Sequence, residues 1–262
     1  MMKRYVIMII MAILLSGCTK STTTDEISPE DIVPEVVEPE DETQKELTIE
    51  EKKDVLSGYY SLLNQNKELE EITTYLDNNI EKVDEDIVDD IVLSLEEYVR
   101  NIAPSMKTIS DTLMKYYDYV SEEVKSYLDI INREGQNVYT DGEMMKVDLN
   151  ELIERALMTE KHLYKYAGGK TIVRINDFYE GYITGIIIGT GNQYIYAEEG
   201  SSKIKDEVLN TYKHFIESNE DSNITEILKQ YLEKLSMDDY DMNGENVLKF
   251  YDDLPSIIDN YK

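Results

Sequence analysis

From residue 47 onward, the apolar residues of this chain recur at intervals of three or four, and this spacing limits the available folds more than any other feature. A 3.6-residue period places apolar side chains on one face of an α-helix, whereas a half-buried strand requires alternation at every second residue. Residues typical of helix starts accompany the period. Three pairs have the capping-box spacing: Thr48 with Glu51, Asp148 with Glu151, and Asn223 with Glu226. The pattern predicts an all-α helical bundle of about seven or eight helices over residues 47–262.

Within this body, one run extends from Ser105 through Ile131 and predicts a single helix that Gly135 ends. The loop 133–147 that follows is the best candidate for a boundary between two sub-bundles. The chain leaves open whether 47–262 forms one domain or two.

The segment 171–189 is rich in Ile and Tyr, which also suit strands. Its apolar and small positions nevertheless step by three or four, which favours a helix, with a β-hairpin near 181–197 as the alternative. Gly181, Gly185 and Gly189 are four residues apart. This spacing predicts a thin helix face against which a second helix packs closely.

The N-terminus has the organisation of an export signal. Lys3 and Arg4 precede an apolar run of about eleven residues, too short to span a bilayer, which takes about 20. The run ends in Leu15-Ser16-Gly17-Cys18, which resembles the lipobox of bacterial lipoproteins. The resemblance implies diacylglycerol transfer to the Cys18 sulfur and removal of residues 1–17 as a lipoprotein signal peptide. Acyl chains contribute about 0.8 kcal/mol per buried CH₂, so they would hold the chain on the outer face of the bacterial cell membrane.

Residues 18–46 have the composition of a tether. Pro29, Pro34 and Pro39 recur every five residues among many acidic side chains. Proline favours extended geometry, and like charges repel one another. The segment therefore predicts a disordered spacer between the lipidated Cys18 and the helical body.

Composition narrows the classes of function. The 262 residues carry 55 acidic and 26 basic side chains, a formal charge of −29, with no cluster of Lys and Arg, so we expect no nucleic-acid partner. The single cysteine excludes an intrachain disulfide framework and a multi-cysteine metal site. No phosphate-binding loop, dinucleotide glycine pattern or nucleophile-elbow motif appears. We expect no enzyme, with a cell-wall hydrolase that uses paired carboxylates as the less favoured alternative.

One segment resembles half of a metal-binding loop. Asp239, Asp241 and Asn243, followed by Gly244, reproduce the first half of an EF-hand, in which oxygen ligands alternate before a glycine. Phe250 stands where the bidentate glutamate belongs. A calcium-binding lipoprotein is therefore an alternative function, and no other cofactor is expected.

Two tyrosines are candidates for a binding surface. The chain has 21 tyrosines, and most fall on predicted buried helix faces, but Tyr194 and Tyr196 lie in a loop between glycines. Aromatic side chains on loops often contact ligands or partners. The sequence predicts an interaction module that contacts the membrane through Cys18 and binds a protein or cell-wall partner.

The segment Lys115-Tyr116-Tyr117-Asp118 is also similar to part of the helical YiiG-type lipoproteins, whose function is unknown. Because the likeness covers four residues, it implies no residue roles for this chain.

The lipobox interpretation predicts that Cys18→Ala abolishes incorporation of radiolabelled palmitate and releases the protein from the membrane fraction, because only a thiol can form the thioether. Labelling in the producing bacterium, followed by electrophoresis, measures this. Thr19→Ala is the matched control and should retain the label. Label on the Cys18→Ala protein would contradict the interpretation.

Overall fold

The computed structural model describes residues 47–142, 144–189 and 196–261, and most of these residues are helical. The all-α prediction is confirmed, with ten α-helices in the described part of the chain. Extended pairing among these residues is limited to three isolated bridges. None of the helices in these ranges is both long and apolar enough to cross a membrane. The helices are α1 Ile49–Asn64, α2 Leu69–Asp77, α3 Glu85–Ile102, α4 Met106–Leu113, α5 Glu122–Gln136, α6 Leu149–Lys165, α7 Ile172–Ile187, α8 Asp206–Ser218, α9 Asn223–Met237 and α10 Glu245–Asp259.

The prediction of one helix from Ser105 to Gly135 was wrong, because α4 and α5 are separated by a 3₁₀ segment over Met114–Tyr119. The break depends on a contact from another helix: the Ser121 N–H donates to the Asp89 carboxylate of α3 over 2.9 Å. The Ser121 hydroxyl then accepts from the Val124 N–H and starts α5.

Gly135 lies inside α5 and does not end it. A Cβ at this position would overlap the side chain of Ser110 on α4. The missing side chain therefore allows α4 and α5 to pack closely.

Helix α7 continues to Ile187, so residues 181–187 are helical and not the first strand of a hairpin. The predicted close approach of a second helix is found at Gly185, whereas Gly181 lies against a loop residue and Gly189 lies beyond the end of α7. A Cβ at Gly185 would lie 3.0 Å from Leu152 of α6, and one at Gly181 would lie 2.8 Å from the Tyr139 hydroxyl. Residues 190–195 of the alternative hairpin 181–197 lie outside the described residues.

The buried apolar residues form two clusters within one compact unit. The first core is built from α1–α5 and their connections, and the second from α6–α10 and the segment 196–204. Helix α7 joins both, since Ile175 belongs to the first core and Tyr179 to the second. Ile131 belongs to the first core and Leu152 to the second, so the chain passes from one core to the other across the loop 133–147.

The capping predictions differ in outcome. Thr48 and Glu51 form the full reciprocal box. The Asp148 carboxylate accepts from the Glu151 N–H over 2.9 Å, but the Glu151 carboxylate turns to Arg133 on α5, at 2.6 Å, so only half the box forms.

The third capping prediction was wrong in its residue. Ser222, rather than Asn223, caps α9, with its hydroxyl accepting from the Ile224 N–H over 3.2 Å. Asn223 is the first helical residue, and its side chain donates to the carbonyl of Tyr261.

A buried carboxylate connects the two cores. The side chains of Glu134 on α5 and Arg155 on α6 are 3% and 2% exposed and form an ion pair. The Tyr182 hydroxyl of α7 donates to the same carboxylate over 2.7 Å, and the Tyr139 N–H donates to its second oxygen over 3.0 Å. Burial, followed by the nearby Glu134 charge, raises the pKa of Tyr182.

This pairing predicts that Arg155→Met lowers the free energy of unfolding by about 3–5 kcal/mol, because Glu134 would be left buried without its counter-charge. Urea denaturation followed by circular dichroism measures the loss. The double variant Glu134→Gln, Arg155→Met should recover part of it.

The matched control is Lys107→Met, which removes an exposed pair with Asp111 and should cost less than about 1 kcal/mol. Equal losses in the two single variants would contradict the role given to the buried pair.

Candidate functional site

The predicted site residues are distributed between the described and undescribed parts of the chain. Cys18 and Tyr194 lie outside the described residues. Asp239, Asp241 and Asn243 occupy the turn between α9 and α10.

The carboxylates of the predicted metal ligands Asp239 and Asp241 have other partners in this turn. The Asp239 side chain is 94% exposed and pairs with Lys203 over 2.6 Å. Asp241 accepts from the Asn243 N–H over 2.9 Å, and hydrogen bonds from Ser202 and that N–H hold the pKa of Asp241 below its usual value. Among residues 47–142, 144–189 and 196–261, no group of three or more His, Cys, Asp or Glu side chains is arranged to hold a metal ion.

Asp238, which no sequence motif indicates, has a clear structural role in this turn. Its carboxylate accepts from the Val247 N–H over 2.9 Å and from the Asn246 side chain over 2.6 Å, which secures the start of α10. A Cβ on Gly244 would overlap Asp238, and Gly244 has an ordinary φ of −66°. The glycine is therefore required by the Asp238 contact, not by the sharp turn of an EF-hand.

The expectation that Tyr196 presents its ring to a ligand was wrong. The residue is 5% exposed and belongs to the second core. Its hydroxyl donates to the Gly185 carbonyl over 2.8 Å, at the thin face of α7. The loop position suggested exposure, but the ring packs in the second core.

His162 on α6 is buried, and its two ring nitrogens form hydrogen bonds to α5 and to the residue before α7. The Thr171 hydroxyl donates to Glu123, so it accepts the His162 Nε2–H over 2.7 Å. Nδ1 is then the acceptor for the Ser126 hydroxyl of α5 at 3.0 Å. Burial lowers the pKa of His162, in keeping with this neutral form.

The feature best suited to binding a small molecule is a cavity of about 730 Å³, here called the α6–α9 cavity. It lies among α6, α7, the start of α9 and the residues after α10, and its volume is within the range of about 300–1,000 Å³ usual for small-molecule sites. Apolar and aromatic side chains share its wall with two carboxylates. The lining residues are Glu160, Lys161, Leu163, Tyr164, Ala167, Tyr179, Asp221, Asn223 and Tyr261.

Tyr179 gives this cavity a buried polar group. The residue is fully buried, and its hydroxyl lies beside the Glu160 carboxylate without a hydrogen bond of ordinary length among the described residues. Leaving a buried hydroxyl unpaired costs about 1–3 kcal/mol. Burial and, next, the nearby Glu160 carboxylate raise the pKa of Tyr179, so the hydroxyl stays neutral.

The unpaired state of Tyr179 is exceptional among the large buried side chains. Seven tyrosines of the described ranges are less than 2% exposed, and the hydroxyls of the six besides Tyr179 all have hydrogen-bond partners. These are Tyr59, Tyr116, Tyr127, Tyr182, Tyr212 and Tyr231. The fold thus satisfies its buried tyrosines as a rule, and the exception lines a cavity.

Glu160 and Tyr164 complete the site. Glu160 accepts from the Ser222 hydroxyl over 2.7 Å and from the Ile224 N–H over 3.2 Å, which fixes its carboxylate between α6 and the start of α9. Tyr164, one turn further along α6, is 90% exposed and lines the cavity from its solvent side. The site thus offers oxygen acceptors inside and an exposed aromatic ring.

A scan against protein-family models finds no match to this chain, and searches of curated proteins and of solved structures find no significant match either.

The contacts of the α9–α10 turn predict that Asp238→Ala lowers the melting temperature by a few degrees, because the start of α10 loses its acceptor. The adjacent Asp239→Ala, which removes only an exposed ion pair, should leave the melting temperature unchanged. Differential scanning calorimetry compares the two, each with calcium and with chelator. A calcium-dependent rise in melting temperature that Asp239→Ala abolishes would contradict this account and restore the calcium site.

Proposed function

We propose that this chain is a lipid-anchored lipoprotein on the outer face of a bacterial cell membrane, and that its helical body is a binding module without catalytic activity. The observation that carries the proposal is the segment Leu15-Ser16-Gly17-Cys18 after a short apolar run with two preceding basic residues. Cys18 is the only cysteine of the sequence, so no disulfide role competes with lipidation.

The charge of the chain supports a body held away from its anchor. The formal charge is −29, and anionic lipid headgroups and wall polymers repel such a surface. The Pro-rich acidic segment 18–46 supplies length between Cys18 and the first helix. A tether of this kind suits a domain that meets its partner at a distance from the bilayer.

The α6–α9 cavity supports binding as the role of the body. It combines a volume of about 730 Å³ with aromatic side chains and with a Glu160 carboxylate that two hydrogen bonds hold in place. The described residues of the wall include two carboxylates and three tyrosines but no His or Cys. This set suits recognition by hydrogen bonds and aromatic contact better than nucleophilic catalysis.

The localisation is tested in the producing bacterium by treating spheroplasts with a membrane-impermeant, amine-reactive label. The protein should be labelled as strongly before lysis as after it, because its lysines would face outward, whereas a cytoplasmic control protein should be labelled only after lysis. Labelling of this chain only after lysis would contradict the proposal.

A further inference from the structure

We infer that His162 is an acid-sensitive latch: at mildly acidic pH its protonation releases the connection between α6 and α7, residues 166–171, from α5. The inference goes beyond the proposed function, because it concerns a conformational response of the helical body and holds whether or not Cys18 is lipidated. On the outer face of a membrane, where the body is proposed to lie, such a latch would respond to the pH outside the cell.

The connection is held on α5 by hydrogen bonds that meet at one hydroxyl. The Thr171 hydroxyl and N–H both donate to the Glu123 carboxylate of α5 over 2.7 Å, and the same hydroxyl accepts the His162 Nε2–H over 2.7 Å. A Cβ on Gly169 would overlap the Glu123 carboxylate, so the backbone of the connection lies directly against α5 there. Thr171 precedes the first residue of α7, so these bonds also position the start of that helix.

The His162 ring fits this site in its neutral form. Nε2 is the donor to Thr171 and Nδ1 is the acceptor from the Ser126 hydroxyl at 3.0 Å, so both nitrogens already have a role. A proton added to Nδ1 would displace the Ser126 hydrogen from this contact. If the Ser126 hydroxyl turns to accept the new proton, the positive charge still stays on a residue that is 1% exposed, where water cannot hydrate it. Protonation therefore favours a conformation in which the ring reaches water.

The charged groups around His162 do not compensate for the lost hydration. Burial lowers the pKa of His162 most, the Glu123 charge raises it by a smaller amount, and the Lys165 charge lowers it again. The Thr171 hydroxyl lies between Glu123 and the ring. The other titratable or charged groups on the elements around the ring are Glu122, Lys125 and Asp129 of α5, Lys161 of α6, Tyr166, and Lys170 with its partners Asp86 and Asp90 of α3.

Acid therefore shifts the equilibrium toward release. A released, solvated histidine has a pKa of about 6.5, above that of the latched form, so the released form binds the proton more tightly. The advantage of the latched form is complete above about pH 6.5 and is lost as the pH falls from there toward the lowered pKa. At pH 5.5 a solvated ring is protonated about ten to one, so the population of the released form rises by up to about tenfold.

The surroundings of the latch allow release without unfolding of either core. Ala167, Gly168 and Lys170 are exposed, and a cavity of about 190 Å³ lies beside His162 between α5 and α6. The tie to α3 consists of ion pairs from Lys170 to two exposed aspartates, which contribute less than about 1 kcal/mol each. Segments with few buried contacts open locally at a low cost in free energy.

Hydrogen–deuterium exchange of the full chain in mild detergent, at pH 7.5 and pH 5.5 and corrected for the intrinsic pH dependence of exchange, tests the latch. Peptides covering 166–175 should exchange severalfold to about tenfold faster at pH 5.5. Peptides from α9 and α10 should not show this increase. No increase in 166–175, or an equal increase in all helices, would overturn the inference.

Two variants make the comparison specific, because the chain has only two histidines. His162→Gln keeps a neutral donor and acceptor and removes the titrating ring, so the difference between the two pH values should disappear. His214→Gln, at an exposed position on α8, is the matched control and should retain the difference. A His162→Gln protein that keeps the full difference would refute the assignment to His162.

A further measurement does not depend on how well His162→Gln folds. Nuclear magnetic resonance follows the ring Cε1–H signal of His162 in the unmodified protein between pH 8 and pH 4.5, with His214→Gln used to distinguish the two histidine signals. The midpoint for His162 should lie below that of a histidine in an unstructured peptide in the same buffer. A midpoint at or above the peptide value would overturn the inference.

Discussion

The buried carboxylate of Glu134 is the contact on which the arrangement of the two cores depends. A carboxylate taken out of water is stable only if its lost hydration is replaced, and here the replacement comes from α6, α7 and the loop before α6. The same solution recurs at Glu96 of α3, which is paired with Arg100 and Arg174 and accepts from the Tyr127 hydroxyl. All four arginines of the described residues pair with glutamates. Arg100 and Arg174 pair with Glu96, Arg155 pairs with Glu134, and Arg133 pairs with Glu151. In a chain so rich in acid, the planar, always-charged guanidinium is placed where α3, α5, α6 and α7 meet.

The helical body was readable from the sequence because its apolar period is local. The faces of α1, α3 and α7 follow from spacing alone, and the Thr48 cap follows from four consecutive residues. The break before α5 was not readable, since it depends on Asp89, 32 residues away from Ser121. Burial of Tyr196 was also missed, because it depends on packing in the second core and on a hydrogen bond to Gly185 of α7.

The candidate site was even less accessible to sequence reasoning. Its wall is assembled from α6, α7, the residues before α9 and the chain after α10, and no local motif links Glu160 to Tyr261. The only local signal is the spacing of Glu160 and Tyr164, four residues apart on one helix face. The predicted metal residues differ, since a local pattern is present there, and in the structure Lys203 and the backbone of the turn engage the carboxylates of Asp239 and Asp241.

Helix α7 has a consequence for how the body loses its structure. Its first turn packs in one core and its later turns in the other, while Glu134 and Tyr182 bond across the junction. Separating the cores would require α7 to leave one of them. It would also break the hydrogen bond from Tyr182 to Glu134 and expose the buried ion pair between Glu134 and Arg155 to water. The two cores therefore do not behave as independent folding units, and the body should unfold in a single cooperative transition despite having two hydrophobic centres.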